Sequence, residues 1–182
     1  IPDSVTSIGD TAFNFCYLLE SITIPSSVTE IGDYAFYLCT SLTSVTIPEG
    51  VTSIGEGVFS LCDDLTSLTV AEGNPVYHSA GNCIIETASK TLVAGCKASV
   101  IPADGSLTSI GEYAFFWCTN LINISIPGGV TSIGYQAFAG CENLQSVSIP
   151  SSVTSIGNYA FDGCIRLETL SIPSSITSIG KY

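Results

Sequence analysis

The 23-residue spacing of one pattern constrains this chain more than any other feature. LESITIPSSVTEIGDYAFYLCTS runs from Leu19 to Ser41, and the pattern restarts at Leu42, Leu65, Leu121, Leu144 and Leu167. Only the interval from Leu65 to Leu121 is irregular, at 56 residues, one period of 23 plus 33. Units of that length cannot bury their own apolar side, so repetition implies a stacked array with one continuous core.

Within the unit, Leu19, Ile22 and Ile24 follow LxxIxI, which predicts a half-buried strand with Ser21 and Thr23 facing the other way. Pro25 ends the strand, Val28 and Ile31 are the next apolar positions, and Gly32 predicts a turn. Ala35, Phe36, Cys39 and Leu42 then recur at three- and four-residue spacing, which predicts about two turns of α- or 3₁₀-helix. Four of the seven residues that follow Ile-Gly are acidic (Asp10, Asp33, Glu56, Glu112), as suits a helix start. The expected fold is therefore an α/β solenoid of 23-residue coils. It has a parallel concave sheet, strands about 4.8 Å apart, and short helical or 3₁₀ turns on the other side. Phe13, Phe36, Phe59, Phe115, Phe138 and Phe161 fall in one register, as do Cys16, Cys39, Cys62, Cys118, Cys141 and Cys164, and both columns read as core.

Glu72 to Ser106 leaves the pattern. Cys83–Glu86 and Thr91–Ala94 are short apolar runs joined by Thr87–Lys90, a hairpin signal, and Asn74-Pro75 and Ala80-Gly81-Asn82 supply turns. This is the signature of a β-meander inserted in the stack. The expected organisation is a single domain over 1–182, with regular coils at 1–71 and 107–182 and the insert at 72–106. The chain starts and stops in mid-pattern without polar caps, so it reads as a piece of a longer protein.

Sixteen Asp and Glu against four Lys and Arg give a net charge of −12, which argues against nucleic acid and anionic membrane as partners. Tyr113 to Cys141 lacks charge, but Pro127, Gly128 and Gly129 break it, so direct membrane insertion is not expected. A hydrophobic content of 46% with 11% charged residues excludes a disordered tail.

No catalytic, cofactor or metal site is read. The cysteine column places thiols in register, where they act as small apolar residues. Cys83 and Cys96 are the better candidate pair for a disulfide, although hairpin pairing sets Cys83 nearer Ala94. There is no CxxC, and the single histidine, His78, has no ligand-like neighbours. Asp63-Asp64 point to different sides of the chain, and neither a DxDxDG loop nor a Gly-rich phosphate loop occurs.

What remains is surface. Ser44, Thr46, Ser67, Thr69, Asn123, Ser125, Ser146 and Ser148 are the central members of an uncharged row that faces away from the core. One reading is that small hydroxyl residues simply suit a crowded sheet. The other is a face that hydrogen-bonds a protein or glycan. A rival patch is Phe116 with Trp117, since Phe115 belongs to the core column and aromatic residues are common interface anchors.

The unit LxSITIPSSVTSIGxYAFxGCxxL, carried almost whole by Leu144 to Leu167, resembles the BspA-type leucine-rich repeat, and the match extends over nearly the full chain. NPVYHSAGNCIIETASKTLVAGC is similar to an irregular module found inside such arrays. The resemblance implies a leucine-rich-repeat solenoid from a secreted or cell-surface bacterial protein, a non-catalytic module that adheres to a host or neighbouring cell; the stretch itself is expected to be monomeric. Its rivals are a passive spacer and a repeat region attached to an enzyme domain outside this stretch. One departure leaves a local turn open: Gly140 and Gly163 precede their cysteines as in the family, but Phe15, Leu38, Leu61 and Trp117 stand there in the other coils.

Overall fold

The structure, a computed structural model, describes residues 1–181. Alternation works as the sequence predicts where strands are longest: in Ser44-Val45-Thr46-Ile47, Val45 and Ile47 are buried and Ser44 and Thr46 exposed. In chain order the strands begin with β1 (Ser7–Ile8), β2 (Glu30–Ile31), β3 (Ser44–Ile47), β4 (Ser53–Ile54) and β5 (Ser67–Val70). The irregular region supplies β6 (Tyr77–Ala80), β7 (Cys83–Glu86) and β8 (Thr91–Ala94). The second regular half supplies β9 (Ser109–Ile110), β10 (Asn123–Ser125), β11 (Ser132–Ile133), β12 (Ser146–Ser148), β13 (Ser155–Ile156), β14 (Thr169–Leu170) and β15 (Ser178–Ile179).

Each coil contributes to two parallel ladders. The LxxIxI strands form β3-β5, which a bridge from Ser21 to Ser44 extends by a coil, and β10-β12-β14. The two-residue strands that precede each Gly, Ser-Ile in all but β2, form β1-β2-β4 and, with the meander strands, the long sheet β15-β13-β11-β9-β8-β7-β6. Regular partners such as Val45 with Leu68 and Ile133 with Ile156 are one 23-residue period apart. Two residues are too few to show alternation, so periodicity alone reads the second ladder as a turn.

The helical turns expected after Ile-Gly are absent: no described residue is helical, and the fold is a parallel β-solenoid, not α/β. Tyr34, Phe36 and Leu38 send their N–H groups to Glu56, Val58 and Ser60 of the next coil at 2.9–3.0 Å, while Tyr37 and Cys39 bond back to Tyr34 and Phe36. A helix would direct all these donors along its own segment. Here alternate donors run along the stack, and left-handed residues such as Tyr34 (φ 54°) and Leu38 (φ 59°) make the successive turns. The three- and four-residue apolar spacing came from those turns. The same geometry closes the question of the missing glycines: Phe15, Leu38, Leu61 and Trp117 hold φ of 61°, 59°, 57° and 52°, beside 73° and 70° at Gly140 and Gly163.

The acidic residues serve the stack as well. Asp10 accepts the Asp33 N–H at 2.9 Å and Asp33 accepts the Glu56 N–H at 2.8 Å, each capping the next coil. Gly32 is also not there for an unusual φ. Its N–H reaches the Ile8 carbonyl at 2.8 Å, and a Cβ would lie 2.6 Å from the Asp10 nitrogen.

Between the ladders lie columns of core residues. Phe115, Phe138 and Phe161 stack with centroids 5.1 and 5.4 Å apart, and Phe13, Phe36 and Phe59 do the same at 5.3 and 5.8 Å. The thiols behind them are unpaired and donate one coil back: Cys62 to the Phe36 carbonyl at 3.1 Å, Cys141 to that of Phe115 at 3.2 Å.

The β6-β7-β8 meander fills the Ser-Ile ladder between the two regular halves. β8 runs parallel to β9, and the Tyr77 hydroxyl accepts the Ile54 N–H at 3.2 Å on the other side. A bulge between Ile84 and Ile85 puts Ile84, not Cys83, opposite Ala94. On the turn side the two halves meet directly, where the Leu61 N–H bonds the Trp117 carbonyl at 3.2 Å.

Candidate functional site

All eight hydroxyl-row residues lie on LxxIxI strands and point away from the core, seven exposed and Ser67 half-buried. They do not form one continuous sheet. Ser44, Thr46, Ser67 and Thr69 lie on β3 and β5, Asn123, Ser125, Ser146 and Ser148 on β10 and β12, and no strand pairing joins the two sets. Inside each set the side chains pair across the ladder: Thr46 with Thr69 at 2.9 Å, and Ser146 donating to Asn123 at 2.7 Å.

The second set borders a groove that the sequence did not disclose. Ser99 to Ala103 runs beside β10, anchored by the Val100 N–H on the Gly81 carbonyl at 2.8 Å and the Ser99 hydroxyl on the Asn82 carbonyl at 2.6 Å. With Asn123, Ser125, Ser146, Ser148 and Pro127 it encloses about 780 Å³. Val100, 70% exposed, stands at the rim. The signal was weak, because Ala98 to Ile101 shows neither alternation nor a turn motif.

Phe116 and Trp117 are half-buried and belong to a longer chain of rings on the turn side. From the first coils, Phe15 meets Tyr37 at 6.0 Å and Tyr37 meets Tyr34 at 6.0 Å. Tyr34 then crosses to the second half, 6.5 Å from Tyr113 and 6.3 Å from Phe116. Tyr113 continues to Tyr135 at 5.3 Å, and Tyr135 to Tyr159 at 5.9 Å. The crossing depends on Gly57, over which the Tyr34 ring lies; a Cβ there would sit 2.5 Å from the ring. Trp117 covers Gly140 in the same way.

A row of carboxylates follows the rings. Burial and the charges of Asp33 and Glu112 raise the Glu56 carboxyl above its ordinary value. Burial and the charges of Glu56 and Asp33 raise the Tyr34 phenol. Among the described residues the one ion pair is Lys97 with Asp64 at 3.4 Å, and Lys97 shares a small cavity with Trp117.

The other sequence candidates are absorbed by structure. His78 Nδ1 lies 2.9 Å from the Thr87 hydroxyl, and Asp63 accepts the Thr119 hydroxyl across the junction of the two halves. Among the described residues no three of His, Cys, Asp or Glu gather as a metal site, and no helix is long and apolar enough to cross a membrane.

Stacked 23-residue coils with leucine, isoleucine and phenylalanine columns define a leucine-rich β-solenoid. The chain belongs to the BspA type leucine rich repeat family, whose pattern matches in six copies over residues 1–92 and 86–182. Among solved structures it is similar to a leucine rich cell surface protein of Faecalibacterium prausnitzii, with 35% identity and a TM-score of 0.80 over 98% of this chain and 48% of that one. It is also similar to the pneumococcal vaccine antigen PcpA, with 26% identity and a TM-score of 0.82 over 99% of this chain and 46% of that one. A Treponema pallidum leucine rich repeat protein aligns at 26% identity and a TM-score of 0.54, over 92% of this chain and 76% of that one. The chain thus spans about half the length of the first two. No curated protein sequence matches it.

Proposed function

We propose that this chain is a non-catalytic interaction module of a secreted or cell-surface protein, and that it engages a protein or glycan of a host or neighbouring cell through the hydroxyl face. The observation that carries this reading is the groove between Ser99–Ala103 and β10-β12. It sets exposed apolar atoms of Val100 beside unpaired hydroxyl capacity on Ser125 and Ser148. Similarity to a leucine rich cell surface protein supports the location. A shallow face of small polar groups suits many weak contacts, with avidity from copy number.

The test is a screen of the purified chain against host matrix proteins and glycans, followed by two double variants. Ser125→Lys with Ser148→Lys crowds the groove, and Thr46→Lys with Thr69→Lys crowds the other sheet. Loss of at least tenfold in affinity in the first alone is the expected result. Normal binding by a folded groove variant sinks the reading. A second reading, a passive spacer, is favoured by the pairing of Thr46 with Thr69 and of Ser146 with Asn123, which leaves fewer hydroxyls for a partner. Absence of binding across the whole screen would support it.

A further inference from the structure

The hydroxyl face is interrupted at the insert, whereas the chain of rings on the turn side is continuous across it. Such continuity is not a by-product of the core, because the stacked phenylalanines already fill that role behind it. It is made locally, by Gly57 giving Tyr34 room to reach Tyr113 and Phe116. Next to the rings stand Asp33, Glu56 and Glu112, all exposed, one per coil. Among the described residues none of these carboxylates is in an ion pair, the one such pair being Lys97 with Asp64, and the column they share ends at Lys181, whose N–H bonds Asn158 at 2.8 Å.

We infer that this ribbon is a docking surface for an extended lysine-rich segment of a partner protein, with ammonium groups between the ring faces and the carboxylate row. The two components match one chemistry: aromatic faces attract cations through their quadrupole, and the carboxylates add Coulomb attraction that shifts with salt. An anionic partner is repelled by the same row. A neutral apolar partner would leave the carboxylates beside it desolvated and unpaired. The proposal does not rest on the groove, and either surface can fail without the other.

The probe is a fluorescein-labelled twelve-residue peptide alternating lysine and serine, titrated by anisotropy at about physiological salt. Any acidic protein attracts such a peptide, so the comparison is between variants of equal net charge. Glu56→Gln with Glu112→Gln removes two ribbon charges, and Glu20→Gln with Glu168→Gln removes two exposed charges from the LxxIxI side. The expected result is about tenfold weaker binding for the first pair and less than about twofold for the second. Tyr37→Leu with Phe116→Leu keeps apolar volume but removes two ring faces, and should weaken binding about fivefold. Equal losses from the two glutamate pairs would reduce the interaction to net charge and overturn the proposal, as would no binding by the unaltered chain. An unchanged affinity in a ring variant that melts normally would do the same. If the ring pair melts early, the two glutamate pairs decide the matter alone.

Discussion

Gly134 and Gly128 are the same residue six positions apart, and the stack treats them oppositely. At Gly134 a Cβ would lie 2.7 Å from the Glu112 nitrogen and 2.7 Å from the Gly111 carbonyl carbon, whereas at Gly128 nothing stands within 4 Å. Gly134→Ala should therefore cost about 1–3 kcal/mol, as overpacking does, and Gly128→Ala should stay within about 0.5 kcal/mol of the unaltered chain. Denaturant melts of the two variants check this, and equal costs would mean that coil-to-coil approach is not what selects glycine. The repeated Ile-Gly was legible in the sequence, but its cause was not. A single unit gives no sign that its glycine lies against the unit before it, and a turn explains an isolated glycine equally well. Residues after Ile-Gly mislead for the same reason, because an aspartate that caps the next coil has the composition of a helix start.

Among elements, the length of a strand decided what could be read. β3, β5, β10 and β12 alternate over three or four residues, and the sequence placed them and their outward hydroxyls correctly. The two-residue Ser-Ile strands and the turn segments, whose hydrogen bonds run to a neighbour 23 residues away, have no local signature. The groove was hidden for a related reason, since Ser99–Ala103 reaches β10 only once the meander is folded. Two elements carry predictions. Phe138 is fully buried between Phe115 and Phe161, so Phe138→Ala should lower stability by about 3–5 kcal/mol. A loss under about 1 kcal/mol in the same melts would show that the ring column is not core. Asn74 anchors the start of the insert: its amide donates to the Pro48 and Val51 carbonyls at 2.8 and 2.9 Å and accepts from the Val76 and Tyr77 N–H groups at 2.9 and 2.7 Å. Asn74→Ala should cost about 2–3 kcal/mol, and hydrogen exchange should show the loosening concentrated in β6. Uniform loosening would instead make Asn74 one contact among many.

At the scale of the whole molecule, the cysteine column links stability to alkaline pH. Burial pushes the Cys39 and Cys164 thiols up to about 11 and Cys83 up to about 12, and raises Cys62, Cys118 and Cys141 well above the ordinary value. The ordinary value is 9.0, so between there and the folded values the native stack keeps protons that the unfolded chain has released. Stability is then level below about pH 8 and falls as pH rises from about 9 toward 12, because each ionised thiol would sit desolvated in the core. Tyr34, Tyr77 and Tyr113, also raised by burial, act in the same direction. Thermal melts in reductant from about pH 7 to about pH 11 should show a plateau and then a steep decline. Cys39→Ala with Cys164→Ala isolates what these two thiols contribute to the decline. The double variant is expected to be less stable on the plateau, having lost packing, but to decline less steeply above it. Because coils fold as neighbours in one stack, the decline should appear as a single transition in both regular halves. An unchanged slope in the double variant would assign the alkaline loss to the other buried thiols and the tyrosines, and separate transitions in the two halves would show that the insert does not couple them.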